Sequence, residues 1–190
     1  MNTAILRENE RWLLSFYRTS EINGALFFGR LARAMRPGPI QADMTQHFAD
    51  ESAHASYWTV CLGDLGTKAI KLDHAYQDDY LEAGGMPANM MEVLAVTLAF
   101  ERRVIRQYVQ HSRVPELAAP VKDTLTRIMS DEKWHIRWVT AALESMEEEY
   151  GADTVRSTLQ RYVDADKQVY RDFLQTNAEM LREMTWLAEG

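Results

Sequence analysis

Cysteine is almost absent from this chain of 190 residues, and its scarcity excludes several classes of site. The single cysteine, Cys61, can form neither an intramolecular disulfide nor a Cys-x-x-Cys pair. Zinc ribbons, rubredoxin-type iron sites and protein-held iron–sulfur clusters need several thiolates and are therefore excluded. Any redox metal must be held by nitrogen and oxygen ligands.

Long apolar runs and an excess of basic residues are also missing. No stretch is long and apolar enough to span a bilayer, and residues 1–7 lack the features of a signal peptide, so we expect a cytoplasmic protein with no membrane partner. The formal net charge of −7 argues against binding to nucleic acid. The length, with 46% hydrophobic and 26% charged residues, is typical of one globular domain spanning residues 1–190.

Proline and glycine are few, and they separate long stretches with helical periodicity. The pattern predicts helices at residues 3–35, 40–62, 88–112 and 121–146, followed by a fifth at residues 152–188. Residues 63–87 are rich in glycine and form a long connection with a short helix near residues 73–83. Because a connection of this length can cross a bundle, we predict an all-α, antiparallel four-helix bundle over residues 3–150 with a long crossover between its second and third helices. The C-terminal helix is additional to the bundle and packs against its outside or against a second copy, which makes a homodimer reasonable.

Two glutamates are each the lone charge in the apolar stripe of a predicted helix. Glu21 falls in the first helix and Glu101 in the third. An unpaired buried charge costs several kcal/mol, so each carboxylate needs a partner. For Glu21 alone, the simplest partner is an arginine from another helix.

The second and fourth predicted helices each carry Glu-x-x-His, at Glu51–His54 and Glu132–His135. Residues three apart lie one turn along the same helical face, so the carboxylate and the imidazole can reach the same point. One such pair is a weak signal, because it is more often an exposed charge beside an ordinary histidine.

The two halves of the chain repeat the same order and spacing. Glu21 precedes Glu51 by 30 positions, and Glu101 precedes Glu132 by 31. Four carboxylates offset the charge of two divalent ions, two imidazoles can hold one ion each, and oxygen and imidazole ligands suit iron or manganese. We therefore predict a dinuclear site with Fe/Fe, or alternatively Mn/Fe or Mn/Mn. The alternative is that these six polar residues are buried by coincidence and that each has its own hydrogen-bond or ion-pair partner, with no metal. The six predicted ligands are Glu21, Glu51, His54, Glu101, Glu132 and His135.

This order of ligands resembles the ferritin-like di-iron carboxylate superfamily, in particular its oxygen-activating branch. The resemblance covers about residues 10–146 and includes aldehyde-deformylating oxygenases, the hydroxylases of bacterial multicomponent monooxygenases, ribonucleotide reductase small subunits and rubrerythrins. It implies a ferritin-like bundle. In the hydroxylases an aspartate before each Glu-x-x-His glutamate holds the histidine of the other half. Asp50 and Asp131 match that position, so the resemblance implies hydrogen bonds from His135 to Asp50 and from His54 to Asp131. A plain surface role is the alternative.

Departures from the relatives narrow the implied function. Ferritin ferroxidase centres have one histidine, rubrerythrins usually carry a cysteine-bound iron domain, and the hydroxylases are much larger. In length and spacing the chain most resembles the aldehyde-deformylating oxygenases. The implied activity is two-electron reduction of O2 with oxidation of a small, apolar organic substrate. Because the chain has no Rossmann glycine motif and no cluster ligands, electrons are expected from an external ferredoxin or flavin reductase.

Several further residues lie near the predicted ligands in sequence. Tyr17, one turn before Glu21, is a candidate radical or proton carrier, and Trp58 and Trp138 are candidate drains for oxidising equivalents, although all three also suit an ordinary core. His47, one turn before Glu51, is interpreted as a histidine at the rim with a local hydrogen bond, a ligand or outer-shell role being the alternative. A substrate pocket is expected between the first and third helices, where small residues near the predicted ligands leave room. Tight packing of the two helices would explain the same small residues equally well. The residues at this position are Gly24, Phe28, Thr97 and Leu98.

Two further functions stay open at this point. One is a ferroxidase or peroxide-scavenging protein, in which iron or peroxide is itself the substrate. The other is a metal-free helical interaction module.

Overall fold

A computed structural model describes residues 7–184 of the chain. These residues are helical with short connections and contain no β-strand, which confirms the prediction of an all-α protein. The helices are α1 (Glu8–Ala34), α2 (Pro39–Asp64), α3 (Tyr76–Gly84), α4 (Met90–Ser112), α5 (Ala119–Ser145), α6 (Glu147–Tyr150), α7 (Ala152–Thr176) and α8 (Ala178–Leu181). None of these helices combines the length and the apolar character that crossing a bilayer requires.

The long helices begin and end where the sequence signals predicted. Pro39 occupies the first turn of α2, where its missing N–H is harmless. Asn89 caps α4 by accepting a hydrogen bond from the Glu92 backbone N–H at 3.0 Å. Gly66 follows α2 with φ +73°, a conformation that glycine adopts without strain. The other bounds of α1, α2, α4 and α5 agree with the predicted ones to within two residues, whereas α1 begins at Glu8 and the predicted start at residue 3 lies outside the described residues.

The predicted fifth helix is the exception, because it does not continue to residue 188. It ends at Thr176, and α8 follows after Asn177. The Phe173 carbonyl accepts hydrogen bonds from both the backbone N–H and the side-chain amide of Asn177, at 3.0 and 2.8 Å. The sequence has neither glycine nor proline there, and the residues after 184 lie outside the described part of the chain.

Contacts divide the chain into two compact units. The first comprises the residues up to Ala75 together with Pro115–Ile128, and the second comprises Tyr76–Val114 together with the residues from Met129 onward. The prediction of a single domain over residues 1–190 stays a prediction.

In the first unit, α1 packs along α2. Tyr17 and Trp58 are buried with ring centroids 5.2 Å apart, and they lie at the core of this pair of helices. The connection that follows α2 is fixed to α1, because the Ile70 N–H donates to the Ser15 hydroxyl at 2.9 Å and Arg11 Nε donates to the Lys68 carbonyl at 2.8 Å.

In the second unit, α7 packs against α3 and α4. Gly84 allows α3 to approach α7 closely, since a Cβ at this position would lie 2.8 Å from Tyr162 Cδ1. Arg103 of α4 and Asp166 of α7 are both buried and form an ion pair at 3.0 Å. The C-terminal helix is therefore part of the core of this unit.

Candidate metal centre

Four buried side chains of α1 and α2 present carboxylates and imidazoles to one another in the first unit. Glu21 is 4% exposed, Glu51 is 5% exposed, and both His47 and His54 are 0% exposed. His54 Nδ1 lies 3.6 Å from Glu21 Oε2 and 3.9 Å from Glu51 Oε1, and His47 Nε2 lies 3.5 Å from Glu51 Oε1. These separations are short enough for one cation to contact several of these side chains.

Helical spacing explains the arrangement on α2. His47, Glu51 and His54 follow one another at intervals of four and three residues, so all three share the face that α2 buries. Glu21 occupies the corresponding position on the buried face of α1. The prediction that Glu21 sits in an apolar stripe is correct, and its neighbour in this unit is a histidine.

Gly24 provides the space that the Glu51 carboxylate occupies. A methyl group built on Gly24 would overlap Glu51 Oε2 and would lie 3.1 Å from Glu51 Cδ. The lack of a side chain on α1, one turn after Glu21, thus allows Glu51 to extend toward the same space. Gly24 was expected to leave room for a substrate, and in the structure a carboxylate fills that room.

His47 is not at the rim, and the sequence interpretation of this residue was wrong. Its side chain is 0% exposed, and its ring stacks on Phe28 with centroids 3.8 Å apart. Phe28 lies on α1, one turn after Gly24. Because its ring stacks on His47, it holds the plane of the imidazole that contacts Glu51. The signal was present in the sequence, because His47 lies on the same helical stripe as Glu51 and His54.

The second unit buries the matching residues. Glu101 of α4 is 3% exposed, and Glu132 and His135 of α5 are 1% and 0% exposed. His135 Nδ1 lies 3.2 Å from Glu132 Oε2. This pair repeats the Glu51–His54 spacing on a second helix, and all six predicted ligands are buried.

In each unit, buried residues bring potential metal ligands close to one another. In the first unit, one nitrogen or oxygen atom from each of Glu21, Glu51 and His54 lies within 4.8 Å of the others, and His47 Nε2 lies 3.5 Å from Glu51 Oε1. In the second unit, ligand atoms of Glu101 and His135 lie within 4.8 Å of each other, and His135 also contacts Glu132. The first group therefore consists of Glu21, His47, Glu51 and His54, and the second group consists of Glu101, Glu132 and His135.

The composition of the two groups suits divalent metal ions. Each group offers both carboxylate oxygen and imidazole nitrogen, the donors that iron and manganese accept in proteins. Buried carboxylates are costly unless they are paired or bind metal, and these groups contain four of them. The buried Glu/His groups are therefore compatible with a metal site.

The residues predicted to surround the ligands, rather than to bind metal, are only partly tested by the structure. Asp50 accepts a hydrogen bond from Gln46 at 2.8 Å, and Asp131 is half-buried. The predicted contacts of these aspartates with His135 and His54 stay predictions. Tyr17 packs on Trp58, and Trp138 is 7% exposed. Neither observation tests a redox role, and the expected substrate pocket also stays a prediction.

The buried polar cluster of the second unit escaped the sequence analysis. Besides the ion pair with Arg103, Asp166 accepts a hydrogen bond from the Tyr76 hydroxyl at 2.9 Å, and the Arg103 guanidinium lies 4.3 Å from the Tyr76 ring centroid. Burial raises the pKa of Tyr76 above its usual range, so the hydroxyl stays a donor. Asp166 is the one charged residue among the buried residues of α7, just as Glu21 is in the apolar stripe of the first helix. A single charge in an apolar stripe therefore indicates a buried carboxylate, but it does not tell whether the partner is a metal ion or an arginine.

Comparison of the chain with protein-family models, with curated proteins and with solved structures gives no match. The resemblance to the ferritin-like superfamily therefore stays a prediction from the sequence.

Proposed function

We propose that this protein is a di-iron carboxylate oxidoreductase, with Mn/Fe or Mn/Mn as alternative metal pairs, that activates O2 to oxidise a small, apolar organic substrate. The observation that carries the proposal is the pair of buried Glu/His groups, one in each unit. Ordinary buried ion pairs need one cation for each carboxylate, whereas each group here collects carboxylates and imidazoles around a single space.

The residues divide naturally between two ions. Glu21 and His54 would hold one ion, and Glu101 and His135 would hold the other. Glu51 and Glu132, which each lie beside the histidine of their own Glu-x-x-His pair, would contact both. His47, whose Nε2 faces Glu51, is a further ligand or a donor that orients the Glu51 carboxylate.

When bound, the metal pair supplies the two electrons that reduce O2. The protein residues supply the surroundings for this chemistry. Phe28, Trp58 and Leu98 are at most 4% exposed and help to exclude water, which favours an apolar substrate and protects reactive species from side reactions. The His47 imidazole is held in place by its stacking on Phe28. The electrons for repeated turnover would come from an external ferredoxin or flavin reductase.

The same proposal includes the finer fold and assembly. We propose a ferritin-like arrangement in which α1, α2, α4 and α5 form the bundle, and the segment from Leu65 to Asn89, including α3, is the long crossover. A homodimer in the cytoplasm is part of the same proposal.

Metal counting tests the proposal directly. The chain is purified, loaded anaerobically with ferrous iron and desalted, and iron is measured by mass spectrometry. We expect about two ions per chain for the natural sequence and fewer than one for Glu51→Ala, because the shared ligand is lost. Glu144→Ala is the matched control, since Glu144 is an exposed glutamate of α5 that belongs to neither group. Trace iron in the natural protein would refute the metal centre and favour a metal-free helical interaction module.

Oxygen consumption then tests the reaction. We expect the loaded protein to consume O2 faster when candidate apolar aldehydes or hydrocarbons and a reductase are present, and to form oxidised product. Rapid consumption of peroxide or repeated oxidation of ferrous iron, with no effect of organic substrates, would instead favour the ferroxidase or peroxide-scavenging function.

A further inference from the structure

A second polar feature lies on α4 and α7 of the second unit, where the side chains enclose a cavity of about 320 Å³. This volume is within the range of small-ligand pockets. Six residues give the cavity its chemical character. They are Arg103, Arg106, Gln107, Lys167, Tyr170 and Arg171.

The charge of the cavity is strongly positive although the chain as a whole carries −7. Four lining side chains are cations, namely three arginines and one lysine, and Asp166 is the one acid among the described residues that line the cavity. The Asp166 carboxylate is already engaged by Arg103 at 3.0 Å and by the Tyr76 hydroxyl at 2.9 Å. Most of the positive charge is therefore available to an anion.

Gln107 places an unsatisfied donor on the wall of this cavity. Its side chain is 3% exposed, and its Oε1 accepts a hydrogen bond from Arg103 at 3.0 Å. Because arginine can only donate, this contact fixes the orientation of the amide and directs Nε2 away from Arg103. Within the described chain, Gln107 Nε2 has no hydrogen-bond partner, which is costly for a buried donor unless a ligand or water accepts from it.

The exposed cations are free to turn toward a ligand. Lys167 lies 3.7 Å from Asp164, and both are solvent-exposed, so this ion pair contributes little. Arg171 donates to Gln168, an exposed neutral group. An anion in the cavity would offer both side chains a stronger partner.

The cavity shares no residue with the two metal-type groups. On α4, Arg103 and Gln107 lie about 200° and 240° around the helix from Glu101, so they occupy the opposite side. The chemistry of the cavity is therefore separate from the function proposed above.

We propose that this cavity binds a phosphate monoester of a small organic molecule. A phosphate monoester carries nearly two negative charges at pH 7, which suits a net formal charge of +3 from four cations and one acid. Arginine side chains bind phosphate oxygens through paired N–H groups, and Gln107 Nε2 donates to a further oxygen. Tyr170 and Leu174 line the same cavity and provide an apolar wall for the organic part.

Calorimetric titration of the purified full chain with phenyl phosphate, inorganic phosphate and succinate, at a fixed ionic strength of about 0.15 M, tests the proposal. We expect saturable binding of one phenyl phosphate per chain, tighter than inorganic phosphate because of the apolar wall, and weaker or undetectable binding of succinate. The variants Lys167→Gln and Arg171→Gln should each weaken phenyl phosphate binding by about fivefold to tenfold, since each removes one charged donor.

Two further variants keep the result decisive. Gln107→Glu retains an oxygen acceptor for Arg103 but replaces the donor with a second carboxylate oxygen, so the variant should fold and bind no phenyl phosphate. Arg156→Gln is the matched control. Arg156 is an exposed cation near the start of α7, the helix that carries Lys167 and Arg171, and it does not line the cavity. Binding that persists unchanged in Gln107→Glu and Arg171→Gln belongs elsewhere on the protein and overturns the proposal. No saturable binding to the natural chain overturns it as well, and succinate binding as tight as phenyl phosphate overturns the assignment to phosphate.

Discussion

Gly24→Ala offers a sharp test of the candidate metal centre, because it should separate metal affinity from helix stability. A methyl group at this position overlaps Glu51 Oε2, whereas an ordinary contact lies at 3.4–4 Å. The carboxylate must therefore move by roughly 1 Å or change rotamer, which is enough to lose correct ligand geometry. We expect a loss of metal affinity of about 10-fold to 100-fold, the range seen when the groups that orient metal ligands are disturbed.

The same substitution should not weaken the metal-free protein. Alanine in a helix interior is more favourable than glycine by about 1 kcal/mol, and the Glu51 side chain is flexible enough to yield. Metal affinity is measured by competition with a chromophoric chelator, and stability by thermal unfolding of the metal-free chain. We expect the first to fall and the second to stay equal or rise.

Gly63→Ala is the matched control for this experiment. Gly63 also lies in a helix of the first unit, and a Cβ at that position has no other atom within 4 Å in the described chain. The control should keep the natural metal affinity. If Gly24→Ala binds metal as tightly as Gly63→Ala, the position of Glu51 does not determine metal binding, and the assignment of Glu51 as shared ligand is wrong.

Three other predictions follow from the structure. Asp166→Asn leaves the Arg103 charge buried without its partner and should destabilise the fold by about 3–5 kcal/mol in urea unfolding, and a loss below 1 kcal/mol would show that the ion pair is unimportant. Burial raises the pKa of Cys61 from 9.0 to about 11, so the native thiol should react slowly with N-ethylmaleimide at pH 9 and rapidly after unfolding, and its contribution to stability should fall as pH rises from 9 toward 11. His47→Phe preserves the stacking on Phe28 but removes the nitrogen 3.5 Å from Glu51, so it should reduce bound metal with little loss of thermal stability; unchanged metal content would exclude a role for His47.

The helical framework and the burial of the candidate ligands were predictable from sequence, and the reason is local. A glutamate flanked at helical spacing by apolar residues has to be buried when its helix packs, so the burial of Glu21 and Glu101 follows from periodicity alone. Proline and glycine mark the ends of α2 and the start of α7 for equally local reasons.

Other features depend on partners that are distant in sequence. Arg103 and Asp166 are 63 residues apart, and no spacing rule pairs them. The fit of Glu51 against Gly24 likewise depends on how closely two helices approach, which hydrophobic periodicity does not determine. At the break after Thr176, the Asn177 side chain adds a second hydrogen bond to the Phe173 carbonyl, and polar residues of this kind are common in uninterrupted helices as well, so the sequence alone does not mark the break.

The four glutamates of the candidate metal centre are each no more than 5% exposed. Burying four carboxylates in this way links the stability of the protein in a cell to the supply of metal. If the proposed ions bind only the folded chain, metal at 100 times its dissociation constant adds about 2.7 kcal/mol to stability, which lowers the unfolded population about 100-fold. Chains made during iron starvation would then be degraded sooner than chains made in iron-replete cells, so the amount of protein would follow the metal supply without any change in its synthesis.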